Sequence, residues 1–214
     1  MILVGRAGSG KDTVAALIDG NLPQYAFADA IKETIQVIQD HGVDAGMEHL
    51  ATLSGYTVDE IIGILPVVQT IEKTVLDGKQ RAHLQSLGNG LRALFSDFWI
   101  TVLRNKIIED NPTGYIVTDC RYENELKMLQ SLDVGSPWYR KSIFISTNKR
   151  ERIKRMKQRD GSCDETRLND ISETSVDSLK GMCDYKINNS KGLKELKEAV
   201  EKINEDIRQE RSHG

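Results

Sequence analysis

Nine residues near the start of the chain carry the clearest chemistry. Gly5-Arg6-Ala7-Gly8-Ser9-Gly10-Lys11-Asp12-Thr13 sets three glycines, a lysine and a hydroxyl residue in the order that cradles a phosphate. The glycines let the backbone bend around an anion with successive N–H groups pointing inward, and Lys11 adds a point charge for the outer phosphates. Gly8, Ser9, Gly10, Lys11, Asp12 and Thr13 are therefore the expected phosphate-contacting residues. The pattern G-x-x-x-x-G-K-[ST] is met through Lys11 and fails at its last place, where Asp12 stands and Thr13 follows. A hydroxyl at that place normally meets Mg²⁺. Two arrangements stay open: Asp12 takes the metal, directly or through water, or Thr13 does so in a shifted register.

Further along, Tyr115-Ile116-Val117-Thr118-Asp119 is an apolar run ending in an acid, the form of a central strand that delivers an aspartate to a nucleotide-bound Mg²⁺. Arg121 follows two residues on. Lys149 to Arg159 holds seven Lys or Arg among eleven residues, with Arg152, Arg155 and Arg159 near one face of a helix and Ile153 and Met156 on its apolar side. Such a run is ordinarily a solvated face. After a strand, in a chain with a phosphate loop, it reads instead as a mobile lid that lowers arginines onto transferring phosphates. Arg81 and Arg92 are candidate clamps for a second phosphate, because guanidinium forks match phosphate oxygens; a solvated helix face is the alternative. Lys32 stands near a strand end, where α/β sheets place their ligands, and an inconsequential surface lysine is its alternative.

These residues need a scaffold, and the hydrophobic pattern supplies one. Met1 to Val4 is a short apolar strand, and Val14, Ala15, Leu17 and Ile18 follow the loop at helical spacing. Gln24 to Phe27 reads as a second strand, with Asp29 as N-cap of a helix carrying Ile31, Ile35 and Ile38. From Asp40 to Lys79 there are seven acidic residues against two basic ones and no β alternation, which reads as a helical insertion. Thr57-Val58-Asp59-Glu60 has capping-box form, and Asp77-Gly78 closes the segment. Arg81 to Leu94 is a helix with Leu84, Leu87, Leu91 and Leu94 in its core stripe, and a break is expected at Gly88 and Gly90. Asp97-Phe98-Trp99 opens another helix that ends before Asn111-Pro112. Further strands are expected at Ser142 to Ser146 and Asp184 to Asn188. Leu193, Leu196, Val200, Ile203 and Ile207 form an amphipathic tail helix expected to pack on the sheet.

At 214 residues the chain fits one domain, 1–214, with the insertion at 40–80 and a lid region at 148–175. A net charge of −3 and a pI near 5.9 argue against general nucleic-acid or membrane-surface binding. The longest charge-free apolar stretch, Ile61 to Ile71, is broken by Pro66 and too short for a bilayer. With the first strand beginning at the initiator methionine and no signal peptide visible, a cytoplasmic location is expected. Cys120, Cys163 and Cys183 are scattered and read as reduced thiols; His41, His49, His83 and His213 lack metal-ligand spacing.

Taken together, the residues resemble the bacteriophage-type deoxynucleoside monophosphate kinases, a branch of the P-loop kinases. The matching stretches are Gly10 to Ala15, Phe27 to Lys32, Leu84 to Gly88 with Arg92 and Trp99, Asp119 to Glu125, and Ser172-Glu173. The family tends to show Thr-Glu where this chain has Asn89-Gly90, and His where it has Asp170. The resemblance implies an α/β P-loop kinase fold, three-layered around a five-stranded parallel sheet with the second and third strands on one side of the first. It also implies a helical acceptor-binding insertion and a basic lid. The activity it implies is transfer of the ATP γ-phosphate to a deoxynucleoside monophosphate, in nucleotide supply for DNA synthesis. On this reading ATP lies on Gly8 to Thr13, and Mg²⁺ meets Asp12 or Thr13 with Asp119. Lys32, Arg81, Gln85, Arg92, Trp99, Arg121 and Glu125 hold the acceptor, and Arg150, Arg152 and Arg155 with Lys11, Arg92 and Arg121 act on the transfer. The partners are these small molecules, with no nucleic acid or membrane, in a monomer or homodimer. No general base is needed, because a phosphate acceptor is already ionised near neutral pH.

Two other readings are weighed. One is a P-loop kinase for a different phosphorylated acceptor, such as phosphomevalonate or dephospho-coenzyme A. The other is a nucleotide-dependent switch or binding module. Asn148-Lys149-Arg150-Glu151 has the start of a guanine-reading motif but ends in Glu, and the chain contains no Asp-x-x-Gly.

Overall fold

The computed structural model describes residues 1–18, 21–74, 80–133, 140–161 and 175–213, without the side chains of 80, 81, 160, 211 and 213. These residues gather into two compact units, Met1–Tyr25 with Asn111–Gly214, and Ala26–Asp110.

The first unit is built on five strands: β1 (Ile2–Val4), β2 (Gln24–Tyr25), β3 (Ile116–Cys120), β4 (Ser142–Ser146) and β5 (Tyr185–Asn188). Their order across the sheet is β2-β3-β1-β4-β5, and every pairing is parallel. The second and third strands thus lie on one side of the first, as expected. Ile2, Leu3 and Val4 are all buried, because a central parallel strand is covered on both faces and has no polar side to show. Leu3 faces α1 (Lys11–Leu17) and the tail helix α8 (Leu193–His213), in a core that includes Val14, Ile116, Ile143, Leu196, Val200, Ile203 and Ile207. The tail helix therefore packs on the sheet. Burying each of its Ile or Leu side chains contributes roughly 1.5–3 kcal/mol. Asn204 Nδ2 donates to the Leu17 carbonyl at 3.1 Å and so caps the end of α1. By the two-residue period of a strand, Ile2 and Val4 face the other side. The remaining elements of this unit are α6 (Glu123–Ser131), α7 (Lys149–Asp160) and a 3₁₀ helix (Ser175–Gly181) that buries Val176 and Leu179.

The second unit is helical: α2 (Phe27–Ser54), a short 3₁₀ turn (Ile62–Ile64), α3 (Leu65–Glu72), α4 (Gln80–Leu94) and α5 (Phe98–Asp110). The insertion expected at 40–80 is part of this larger unit, because α2 runs through Asp40 before the chain turns at Gly42, where φ is 88°. The turn sets Gly46 against Ile38, where a Cβ would run into that side chain, and Glu72 accepts from the Val43 N–H at 3.2 Å. Ala26, not Asp29, is the N-cap of α2. The capping box at Thr57 and Glu60 is present: Glu60 Oε2 accepts from the Thr57 N–H at 2.7 Å, and the Glu60 N–H donates to Thr57 Oγ1 at 3.3 Å.

The break expected at Gly88 and Gly90 does not occur, and α4 is continuous through both. Their small size serves packing instead. A Cβ on Gly88 would stand 3.2 Å from Ile31 Cδ1, and one on Gly90 would run into Ile64. Close helix approach outweighs the roughly 1 kcal/mol of lost helix propensity at each. Asp77-Gly78 lies outside the described residues.

Candidate functional site

Residues 5–10 leave β1 and turn into α1 through two glycines with left-handed backbone, Gly8 at φ 74° and Gly10 at φ 99°. A side chain at Gly8 would be strained by that φ and would also stand 2.8 Å from the Arg152 carbonyl, so the loop lies directly on the α7 backbone. The Ser9 N–H closes the turn on the Arg6 carbonyl at 3.1 Å. Lys11 Nζ is folded onto the loop, donating to the Gly5 carbonyl at 2.6 Å and the Arg6 carbonyl at 3.2 Å. Asp12 and Thr13 are exposed at the start of α1.

The loop is held in shape from the far end of the chain. The Ser9 carbonyl accepts from Asn189 Nδ2 at 2.9 Å, Thr147 Oγ1 at 3.0 Å and Arg155 Nη1 at 3.4 Å. Arg155 Nη2 donates to the Asn189 carbonyl at 2.9 Å, tying the helix to the clamp. Arg152 is 4% exposed, and its Nε donates to the Ala7 carbonyl at 2.8 Å. Asn148 caps α7 by accepting from the Glu151 N–H at 2.9 Å, and its own N–H donates to Ser190 Oγ at 3.0 Å.

The lid expected over 148–175 is described only in part. In its described part the basic segment is a helix docked on the loop, with Arg152 and Arg155 turned inward because loop carbonyls give them hydrogen-bond partners. Arg150 is exposed on the same helix. Residues 162–174, including Ser172, Glu173 and Asp170, lie outside the described residues. Thr147 and Asn189, which hold the Ser9 carbonyl, are not singled out by the sequence. Each stands just past the end of a strand, β4 or β5, the position where a parallel sheet presents its ligand groups.

Asp119 is the penultimate residue of β3 and half-buried. The register that pairs Val4 with Cys120 brings this strand end alongside the residue that opens the loop. Glu125, expected to touch an acceptor, is 2% exposed and accepts from the N–H groups of Arg121 at 2.8 Å and Tyr122 at 3.1 Å. Its carboxylate is consumed in starting α6, so it positions Arg121. The Arg121 carbonyl in turn accepts from Ser175 Oγ at 3.1 Å. Burial, with Glu125 and Asp119 adding to it, pushes the Cys120 thiol well above its ordinary range. Among the described residues no group of three or more His, Cys, Asp or Glu is set to hold a metal.

The second unit carries the other expected residues. Lys32 is exposed and paired with Asp29 at 2.9 Å. Gln85 and Arg92 are half-buried on α4, and Arg92 Nη1 donates to the Gly88 carbonyl at 3.4 Å. Trp99 is 1% exposed, packs edge-on against Phe98 and donates its indole N–H to the same Gly88 carbonyl at 3.1 Å. That overturns the expected substrate contact for Trp99, because its polar atom is satisfied inside the unit and its ring is core. The side chain of Arg81 lies outside those described.

No family model matches the chain, and no curated protein matches it. Among the described residues no helix is long and apolar enough to cross a membrane. Among solved structures, the crystal structure of TT1252 from Thermus thermophilus is similar over 94% of this chain and 93% of that one, with a TM-score of 0.50 and 17% identity. At that identity the likeness is one of fold: α/β, with a five-stranded all-parallel sheet.

Proposed function

We propose that the chain is an ATP-dependent phosphotransferase that moves the γ-phosphoryl group to a deoxynucleoside monophosphate, giving the diphosphate and ADP for DNA synthesis. The observation that supports it most is the clamped loop. Two left-handed glycines, a lysine at the rim and a docked basic helix stand at the carboxyl edge of a parallel sheet, where such sheets bind ligands. The choice of acceptor rests on the motif resemblance, whose stretches include Lys32, Gln85, Arg92 and Arg121.

The residues fit MgATP. Mg²⁺ keeps several waters and takes one or two carboxylates beside phosphate oxygens, so Asp119 with Asp12 or Thr13 is a sufficient donor set. When bound, MgATP supplies the phosphoryl group and much of the neutralising charge. Lys11 exchanges two neutral carbonyls for charged phosphate oxygens, a stronger hydrogen bond. Arg152 and Arg155 keep the loop from collapsing on itself, and Arg150 lies on their helix as the arginine assigned to the transferring group. No side chain need remove a proton, because the attacking phosphate oxygen is already ionised near pH 7.

The test is ADP formation with four deoxynucleoside monophosphates, their ribose counterparts, phosphomevalonate and dephospho-coenzyme A. Turnover confined to deoxynucleotides is expected. Turnover with only one of the last two would keep the phosphotransfer and replace the acceptor. None, from protein that binds ATP, would overturn the reading. Lys11→Ala should lower kcat on the order of 10²–10³-fold, the cost of one preorganised charge donor, with the far-UV circular dichroism unchanged.

A further inference from the structure

A cavity of about 430 Å³ opens on a second flank of the loop. Its lining includes Arg6 and Ser9 of the loop, Thr147 past β4, Arg152 of α7, and Asp177 and Lys180 of the 3₁₀ helix; Lys11, Asp12 and Thr13 do not line it. Among the described residues its lining carries three cations and one carboxylate. Arg6 is oriented by a two-point pair with Asp177, Nε to Oδ1 at 3.0 Å and Nη2 to Oδ2. Arg152 is fixed by its hydrogen bond to the Ala7 carbonyl. Ser9 is 1% exposed, and its Oγ has no hydrogen-bond partner among the described residues. A buried hydroxyl left without a partner is costly, and Ser9 lines the cavity, so its hydroxyl is a donor for a ligand there.

The geometry points to a second phosphate subsite in this cavity. Two oriented guanidinium groups, a lysine and a buried hydroxyl offer donors of the kind that phosphate oxygens accept. The space exceeds one phosphate ion, so the ligand is either free phosphate with its waters or the phosphate of a larger molecule. The inference deepens the phosphotransfer reading and rests on it only for the source of the phosphate, not for the binding. Arg6 and Lys180 are the residues it adds to the site.

The test uses inorganic phosphate, titrated by calorimetry into full-length Lys11→Ala protein, in which the main cradle has lost its charge. Saturable binding tighter than about 10 mM is expected. Adding Lys180→Gln should weaken it about 10- to 100-fold, the usual cost of losing one charge-assisted hydrogen bond. Lys180 is exposed, so this change leaves folding intact, and circular dichroism checks that. No binding to Lys11→Ala, or binding indifferent to Lys180→Gln, would overturn the subsite. With wild-type protein compared with Lys180→Gln, loss of the Lys180-dependent phosphate on adding ATP or a deoxynucleoside monophosphate identifies a nucleotide phosphate as the natural ligand. Phosphate retained under both identifies the free ion. A failed acceptor panel with Lys180-dependent phosphate binding intact would sink the phosphotransfer reading and leave the subsite standing.

Discussion

Gly10→Ala tests how the loop is held. Gly10 sits at φ 99° and a Cβ there would run into Asn189 Nδ2, the amide that donates to the Ser9 carbonyl. Left-handed backbone costs a non-glycine residue roughly 1–2 kcal/mol. Displacing the Asn189 amide adds about 1 kcal/mol for its lost hydrogen bond. The full desolvation penalty is avoided, because Thr147 and Arg155 still serve the Ser9 carbonyl. The sum is about 2–3 kcal/mol, or roughly 4–12 °C in Tm for a chain of this length. Urea unfolding followed by far-UV circular dichroism measures it. Asn189→Ala alone should cost about 1 kcal/mol, and the double variant should recover about 1 kcal/mol relative to the sum of the singles, because the clash vanishes while the strained φ remains. Strict additivity, or a Gly10→Ala cost under about 0.5 kcal/mol, would refute the clamp.

Three further outcomes are expected. Trp99→Phe removes one donor from the buried Gly88 carbonyl and should cost about 1–2 kcal/mol in urea, with no loss of acceptor affinity beyond what that destabilisation explains. Glu125→Gln leaves a weaker acceptor for the Arg121 and Tyr122 N–H groups and should lower stability by roughly 1–2 kcal/mol; a change in acceptor KM with stability untouched would return Glu125 to direct substrate contact. Burial pushes the Cys183 thiol up to about 11 from 9.0, so the unfolded chain ionises it first and the folded state loses stability as pH rises across that interval. The urea midpoint should therefore fall between pH 9 and 11, and less steeply in Cys183→Ala.

Much of the frame was legible because apolar runs and glycine punctuation report directly on sheet and loop. The Ile-Leu-Val run, the Asp119 strand and the tail stripe at 196, 200, 203 and 207 all lie where their spacing predicts. What spacing does not carry is the direction of a polar side chain. Arg152 looks the same in sequence whether it faces solvent or a loop carbonyl, and only the docked helix decides. Trp99 and Glu125 belong to motif stretches, yet each spends its polar atoms on the backbone, a role a motif does not distinguish from ligand contact. Gly88 and Gly90 read as helix breakers because propensity is local, whereas the approach of Ile31 and Ile64 that requires them is not.

The donors on the Ser9 carbonyl come from 138, 146 and 180 residues further along the chain. Closing such long loops is slow, and their entropy must be met before the contacts return anything. The glycine loop is therefore made before the residues that hold it and is among the last parts to acquire its shape. During refolding, nucleotide protection of the loop should lag behind the recovery of helical signal. A fragment ending before Asn189 would carry the whole glycine motif and still fail to bind.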